Sequence, residues 1–495
     1  MPPPRMSNAS QSRPTVVIAG ATGLVGTAVR EALADRYNLV ALTRSPVRAE
    51  RNATADTPET WRHCDLFSQA ATEQAVEGAD YAIYLVHSML PSARLTQGTV
   101  VDLDVVLADN FAKAAAKQGI KQILYVGHLL PDEGPPSAQL RHRLEVERAL
   151  ASASVPVTAV RPGLIVGGGG TRLQVLLNLV RRLPMMVLPE WTAAHTQPIA
   201  LRDVVRALDR CLANEATYGQ RYDIGGPEVM TYRRMLERTA DLLGLERRLI
   251  DTPVAAPAFS KLWVSVFGGA PWALVGPIVE SLNQSVRVRP NPLQDAIRPD
   301  ALSFEEALIR SVDAKGRPLP NPRASLRDEE DAVIRSNSVV RSVQRLPVPP
   351  HFSARDISKE YMNWLPQFGW PLLRCTVEGD AVQFMLKPLR TPLLKLTYAQ
   401  TRSQGHRQLF YVTGGLLADS GSPAEGRLEF RTVLDGQFAI AAVHDFAPQL
   451  PWYVYSATQA LAHLWVMKRF GHHLARLSAQ QDAKTAMDEA SPAWQ

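Results

Sequence analysis

At roughly 150 residues per domain, a chain of 495 residues holds two to four domains and buries its cores without disulfide staples. Apolar residues at 46% and charged residues at 21% exclude a wholly disordered, collagenous or multi-span membrane chain. Lys and Arg outnumber Asp and Glu by 54 to 48, a surplus of +6 too thin for a nucleic-acid binder, and Cys64, Cys211 and Cys375 lack the spacing of a disulfide framework or a thiolate zinc site.

Residues 1–13 lack the hydrophobic middle of a signal peptide and read as a loose tail. Thr15-Val-Val-Ile-Ala19 is a short apolar run suited to a strand buried on both faces of a parallel sheet. It runs into Gly20-Ala-Thr-Gly23-Leu-Val-Gly26, then a helical pattern over Leu24 to Ala34 and a second strand at Asn38 to Leu42. In that setting Gly20 permits the tight turn, Gly23 lets backbone N–H groups approach a pyrophosphate, and Gly26 allows close helix packing. Thr22, Leu24 and Val25 complete the cradle, with an anion expected at the helix N-terminus.

The end of the second strand bears on the cofactor. Where an NAD site usually offers a carboxylate to the ribose, this chain has Thr43-Arg44-Ser45 followed by Arg48 and Arg51. A guanidinium binds a 2′-phosphate bidentately and an acid repels it, so NADP(H) is favoured and NAD(H) stays open. The competing reading is that these arginines only solvate a loop. Helical segments at Gln69 to Glu77 and Leu103 to Lys117 then alternate with strands at Tyr81 to Val86, Ile123 to Val126 and Val157 to Val160. Asp65 and Leu66 follow the third strand, where Asp65 either accepts from an adenine amino group or caps a helix. Val86, His87 and Pro162 are further cofactor candidates at strand ends.

The motifs at 20–26, Tyr84-Leu-Val-His-Ser88, Arg161-Pro-Gly163, Thr196-Gln-Pro-Ile-Ala-Leu-Arg-Asp203 and Tyr222-Asp-Ile-Gly-Gly-Pro227 together resemble an atypical short-chain dehydrogenase/reductase. Over roughly residues 14 to 310 the chain is similar to NmrA-like NAD(P)-binding proteins, related to the Rossmann accessory subunit of respiratory complex I. The resemblance implies a nucleotide-binding sheet with a small substrate lobe built after Pro162. It also implies a Tyr-x-x-x-Lys pair in hydride-transferring members, and here the matching positions hold Gln139 and Arg143. An amide has no proton to give at a useful pKa, so the usual proton relay is missing. His128 and His87 follow predicted strands at the carboxyl edge of the sheet and are the substitutes, unless they merely cap strands; Arg143 is the third weak catalytic candidate, or a ribose or phosphate contact.

Residues 313–338, rich in Pro, Ser, Arg, Asp and Glu, read as a linker. Beyond it, short segments at 372–377, 381–386, 394–401, 408–413, 426–433 and 438–445 predict an antiparallel sheet, followed by a helix over Trp452 to Leu477. That order resembles the START-like, or helix-grip, architecture. Tyr361, Trp364, Phe368, Trp370, Trp452, Tyr453, Tyr455 and Trp465 would line an apolar pocket, form a membrane-interface belt or fill a plain core. His463, His472 and His473 do not make a metal set, and no metal is expected. Lys261 to Glu280 is uncharged between its ends but broken by Gly and Pro, which fits a buried or membrane-touching hairpin better than a span.

The expectation is thus an α/β Rossmann domain over 14–312, a linker over 313–338, an α+β domain over 339–478 and a loose tail over 479–495. The function it implies is an NADP(H)-dependent oxidoreductase acting on a bulky apolar substrate, a quinone, isoprenoid or lipid. The alternative is a non-catalytic, nucleotide-loaded assembly or redox-sensor protein. A cytoplasmic location is expected, with peripheral contact to the inner membrane face as a further partner and no nucleic acid.

Overall fold

The computed structural model describes residues 13–53, 59–87, 93–252, 282–321, 339–368, 372–387, 391–419 and 425–490. The chain divides into two compact units, residues 1–87 with 110–327 and residues 88–109 with 328–495.

The first unit is built on seven parallel strands. Their order across the sheet is Arg221–Ile224, Val157–Pro162, Gln122–Val126, Tyr81–Tyr84, Thr15–Ala19, Asn38–Thr43 and Glu59–His63. Val16, Val17 and Ile18 are fully buried, as expected of a run covered on both faces by helices. Thr15–Ala19 pairs with Asn38–Thr43 on one side, Val17 opposite Val40, and with Tyr81–Tyr84 on the other, Val17 opposite Ala82. The winding reverses between those two neighbours, and a crevice opens there beyond the carboxyl ends of the strands. A second apolar cluster, with Leu177 from Thr171–Arg182, Met235 from Tyr232–Leu242 and Leu308 from Phe304–Ile309, forms the smaller lobe.

The second unit holds an eight-stranded mixed sheet in the order Leu373–Glu378, Ala381–Leu386, Pro392–Tyr398, Arg407–Gly414, Arg427–Val433, Phe438–Phe446, Val340–Pro347 and Leu95–Gln97. All neighbours are antiparallel except the last pair. Leu428 and Phe430 face an apolar cluster with Ile357 and Tyr361 of the helix Ala354–Phe368 and with Phe470 of the helix Gln459–Ala490. The hairpin at Asp435-Gly436 places Leu434, Asp435 and Gly436 at φ of 53°, 57° and 83°, the left-handed turn that joins Arg427–Val433 to Phe438–Phe446.

Several expectations need correction. Residues 88–109 belong with the second unit, because Leu95–Gln97 pairs with Val340–Ser342. Of the stretch read as a linker, residues 313–321 are described, with the Arg317 backbone N–H donating to Asp313 Oδ1 at 2.8 Å, and residues 322–338 lie outside the described residues. The C-terminal helix is two helices, Trp452–Ala457 and Gln459–Ala490, because Thr458 leaves the helical region at φ −124° and ψ −80°. The second helix runs on through the expected tail, where Ala, Gln, Lys, Met and Glu favour it. Tyr361 and Trp364 lie in the core, whereas Tyr453 and Trp465 are exposed; Trp370 and the uncharged 262–279 stretch lie outside the described residues. Among the described residues no helix is long and apolar enough to cross a membrane.

Candidate functional site: a glycine-lined cleft at the switch point

The carboxyl ends of four parallel strands enclose a cleft of about 270 Å³. Gly20 follows the first strand, Val86 and His87 the fourth, Gly127 and His128 the next, and Pro162 ends its neighbour. The helix Leu24–Leu33 starts at its floor, contributing Leu24, Val25 and Gly26. Gly23 is the N-cap of that helix and supplies no side-chain cap, and no acidic residue stands in the first turn. The first-turn N–H groups and the positive end of the helix dipole therefore offer the chemistry that suits an anion.

The three glycines can be read one by one. Gly20 sits at φ +88°, and a Cβ there would lie 2.9 Å from the Leu85 carbonyl. A Cβ on Gly26 would lie 2.3 Å from Gly20 O, so this glycine is what lets the helix press on the turn. A Cβ on Gly23 would lie 3.3 Å from Gly20 O, tight but less severe. This cradle fits the diphosphate of a dinucleotide.

Two guanidinium groups and two imidazoles line the same cleft: Arg143, Arg172, His87 and His128. Arg143 Nε is buried with no hydrogen-bond partner among the described residues, a donor placed for an oxygen that a ligand brings. His128 Nδ1 is 2.6 Å from Gly127 O, and since a carbonyl only accepts, Nδ1 carries the proton of the neutral ring and Nε2 is the acceptor. Burial, Arg172 and Arg143 hold the His128 imidazole well below its ordinary pKa, so it stays neutral. The His87 ring centroid is 5.6 Å from that of His142.

Arg143 owes its position to the turn behind it. Four residues on, Glu147 is buried and forked by Arg161, Nη2 to Oε1 at 2.8 Å and Nε to Oε2 at 3.1 Å, while Arg221 Nε reaches Oε1 at 2.7 Å. These bonds tie the helix Ala138–Leu150 to the strands that carry Arg161 and Arg221. Glu147→Gln keeps the shape and removes the charge, and is expected to cost about 1–3 kcal/mol in calorimetric unfolding. A loss under about 0.5 kcal/mol, within the range of ordinary surface changes, would show that this anchor is dispensable.

Among the sequence candidates, Gly20, Gly23, Leu24, Val25, Gly26, Val86, His87, His128, Arg143 and Pro162 meet at the cleft. Thr22, Arg44, Asp65, Leu66 and Gln139 are not among its lining residues. Asp65 Oδ1 accepts from the Phe67 N–H at 3.1 Å, while Ser68, not Asp65, caps the helix Gln69–Ala75. Leu66 is buried, and its carbonyl accepts from Asn110 Nδ2 at 2.8 Å. Arg44 follows the second strand and is half-buried. Arg172 was not a candidate; the signal was the run Gly167 to Gly170, which turns the chain back over the cleft just before it.

Parallel strands, switch-point crevice and glycine cradle define a dinucleotide-binding Rossmann domain. Residues 20–182 match the family described as NAD(P)H-binding. This part of the chain is a Rossmann-like NAD(P)H-binding domain. The auxiliary protein GraX of Staphylococcus aureus is 32% identical over 114 residues, 23% of this chain and 36% of that one. A mitochondrial protein of Arabidopsis thaliana, NADH dehydrogenase [ubiquinone] 1 alpha subcomplex subunit 9, is 24% identical over 216 residues, 43% of this chain and 53% of that one. The (4-alkanoyl-5-oxo-2,5-dihydrofuran-3-yl)methyl phosphate reductase of Streptomyces griseus is 26% identical over 246 residues, 49% of this chain and 78% of that one. The matches thus span about a third and about half of the first two relatives' length.

Proposed function

We propose that the first unit is an NADP(H)-dependent reductase whose substrate is bulky, largely apolar and carries a conjugated carbonyl, as a quinone does. The observation that carries this reading is the pairing, in one cleft, of the glycine cradle with the buried, unpartnered Arg143 Nε and a neutral His128. The bound nicotinamide supplies hydride. The Arg143 guanidinium neutralises the oxygen that becomes negative. Neutral His128 is a poor acid, and Gln139 cannot replace a tyrosine. A saturated ketone would need a proton donor at that moment. A quinone or enone spreads the charge over a conjugated system, so an electrostatic partner suffices and solvent protonates the product later.

A small apolar pocket beside the cleft supports an apolar group on the substrate next to its reacting end. Leu164, Val175, Leu179, Trp191 and Leu236 line a small pocket of about 50 Å³, and Arg172 lines both it and the cofactor cleft. The Streptomyces relative is named for a reductase of a ring bearing conjugated oxo and alkanoyl groups, and the Arabidopsis one for ubiquinone, in keeping with this substrate class.

Anaerobic stopped-flow with NADPH and a series of quinones and enones tests the proposal through loss of nicotinamide absorbance. Turnover is expected, and Arg143→Gln should lower kcat by about 10²–10³-fold, the size of losing one oxyanion donor. Gln139 in place of the usual tyrosine favours a second reading, a non-catalytic nucleotide-loaded assembly or sensor protein. No turnover across the series, with NADPH still raising thermal stability, would select it.

The preference for NADP(H) rests on Arg44. Arg44→Asp should weaken NADPH by about 1.5–3 kcal/mol, on the order of tenfold to a hundredfold, with little effect on NADH. Equal losses measured by fluorescence titration would remove Arg44 from the 2′-phosphate.

A further inference from the structure

The large sheet of the second unit ends on the strand Leu373–Glu378, which among the described residues pairs only with Ala381–Leu386. The pairing of these two strands runs without a register shift, and the outer strand carries no proline, lysine or bulge, the devices that usually blunt a free edge. The Leu372 carbonyl accepts from the Lys387 N–H at 2.8 Å, so every second residue from there, Arg374, Thr376 and Glu378, turns its backbone groups inward to the neighbouring strand. Leu373, Cys375 and Val377 turn theirs out of the sheet, and Val377 is 62% exposed.

The side chains along this edge complement themselves. Arg374, Thr376 and Glu378 share one face, and opposite them on Ala381–Leu386 stand Met385, Gln383 and Ala381, so neither charge has a mate on the neighbouring strand. Both charged side chains are exposed, and neither makes a hydrogen bond or ion pair with another described residue. A second copy laid antiparallel, with Thr376 opposite Thr376, sets Arg374 of each copy against Glu378 of the other, twice by symmetry. The same register sets Cys375 against Val377, whose outward N–H and C=O groups then exchange two hydrogen bonds in each such pair. A shift by one residue would set outward groups against inward ones. Moving the axis to Cys375 would set Arg374 against Thr376 and Glu378 against Leu372, and a parallel copy would set like charge on like.

We propose that the chain forms a two-fold dimer through Leu373–Glu378, with Thr376 on the axis and the sheets of two second units joined edge to edge. The partner is a second copy of this chain, because the charge order of the strand is complementary to its own reverse. The contact is independent of the reaction in the first unit.

Sedimentation velocity of the full chain across the micromolar range should show a monomer–dimer equilibrium. Arg374→Glu alone and Glu378→Arg alone each put like charges at both contacts and should weaken the dimer at least tenfold, with the thermal unfolding transition of the chain unchanged. Mixed one to one, the two variants regain both opposite-charge pairs, and their heterodimer should match the unmodified affinity within about threefold. In a Cys375→Ser chain, Thr376→Cys should link two copies under mild oxidation, since residues opposite each other in a non-hydrogen-bonded pair hold their Cα atoms about 4.5 Å apart, within disulfide reach. Gln383→Cys, one strand further in, should not. A chain that stays monomeric throughout the range, a dimer that Arg374→Glu leaves unchanged, a mixture that associates no better than its components, or no cross-link at position 376 would each overturn the proposal.

Discussion

Replacing Gly26 by valine is expected to abolish dinucleotide binding and to destabilise the first unit by roughly 3–5 kcal/mol, the severe end of single substitutions. The cause is backbone against backbone. A Cβ at this position would lie 2.3 Å from Gly20 O and 2.9 Å from Ala21 Cα, and neither atom can swing aside as a side chain would. Gly20 is itself held at φ +88° against the Leu85 carbonyl, so the turn cannot retreat. Helix Leu24–Leu33 must then lift off the first strand, exposing Val29 and Leu33 and moving its N-terminus away from the cleft. Gly23→Ala gives the graded comparison: with its Cβ 3.3 Å from Gly20 O it should fold and bind more weakly. Calorimetry with and without NADPH reads both effects, since ligand at a hundred times its Kd adds about 2.7 kcal/mol to a unit that binds it. A Gly26→Val chain that still gains stability from NADPH would contradict the role given to this turn.

The second large effect lies in the other unit. Glu429→Ala is expected to cost about 3–5 kcal/mol, because it removes the carboxylate that Arg407 pairs with and leaves buried Arg431 with Asp109 in place of two acids. Glu429 Oε2 accepts from Arg407 Nη2 at 2.8 Å, its other oxygen from Arg431 Nε, and Arg431 Nη1 also reaches Asp109 Oδ2 at 2.8 Å. Arg431 and Glu429 are 0% and 1% exposed, so water cannot take over. The calorimetric transition that NADPH does not move should drop accordingly.

The same cluster sets a pH dependence. Burial alone would raise the Glu429 carboxyl, but Arg431 and Arg407 outweigh it and hold the pKa well below its ordinary 4.5. Its contribution is present above that value and is lost as pH falls through the depressed folded pKa. His444 is held well below 6.5 by burial and by Arg427, Arg341 and Arg431, against an opposing pull from Glu429, while burial puts His463 at about 4. Unfolding lets these rings take up protons that the folded state refuses, so stability also falls as pH drops below 6.5. Both trends have the same sign. In the second unit, the double substitution His444→Gln with His463→Gln should remove the onset near pH 6.5 and leave the carboxylate limb at lower pH, while buried His128 keeps an onset of its own in the first unit.

This buried charge also shows where sequence patterning misleads. Arg427-Leu-Glu-Phe-Arg431 alternates as a half-solvated strand does, yet its charged face is as dry as its apolar face. Alternation reports two faces, not which of them meets water; here Glu429 of the same strand and Asp109, far away in the chain, both pair with Arg431. The parallel sheet was legible because runs such as Val16-Val17-Ile18 need cover on both sides, and the glycine turn because its spacing sits between a strand and a helix. Leu95–Gln97 was not, since three residues carry no period and gain their partners only from Val340–Ser342. Ala354–Phe368 was read only as scattered aromatics, although Ile357, Tyr361, Trp364 and Leu365 are the buried face of one helix. At the cleft, sequence located His87, His128 and Arg143 but not Arg172, whose approach depends on how a four-glycine run folds back.

Titration calorimetry of the purified chain with NADPH and NADH tests the central claim most directly, which is that the turn from Gly20 to Gly26 receives the diphosphate of a nicotinamide dinucleotide. Saturable heat at one site per chain is predicted, tighter for NADPH and weakened in Gly23→Ala. No heat with either nucleotide, or undiminished affinity in the Gly23→Ala chain, would contradict it.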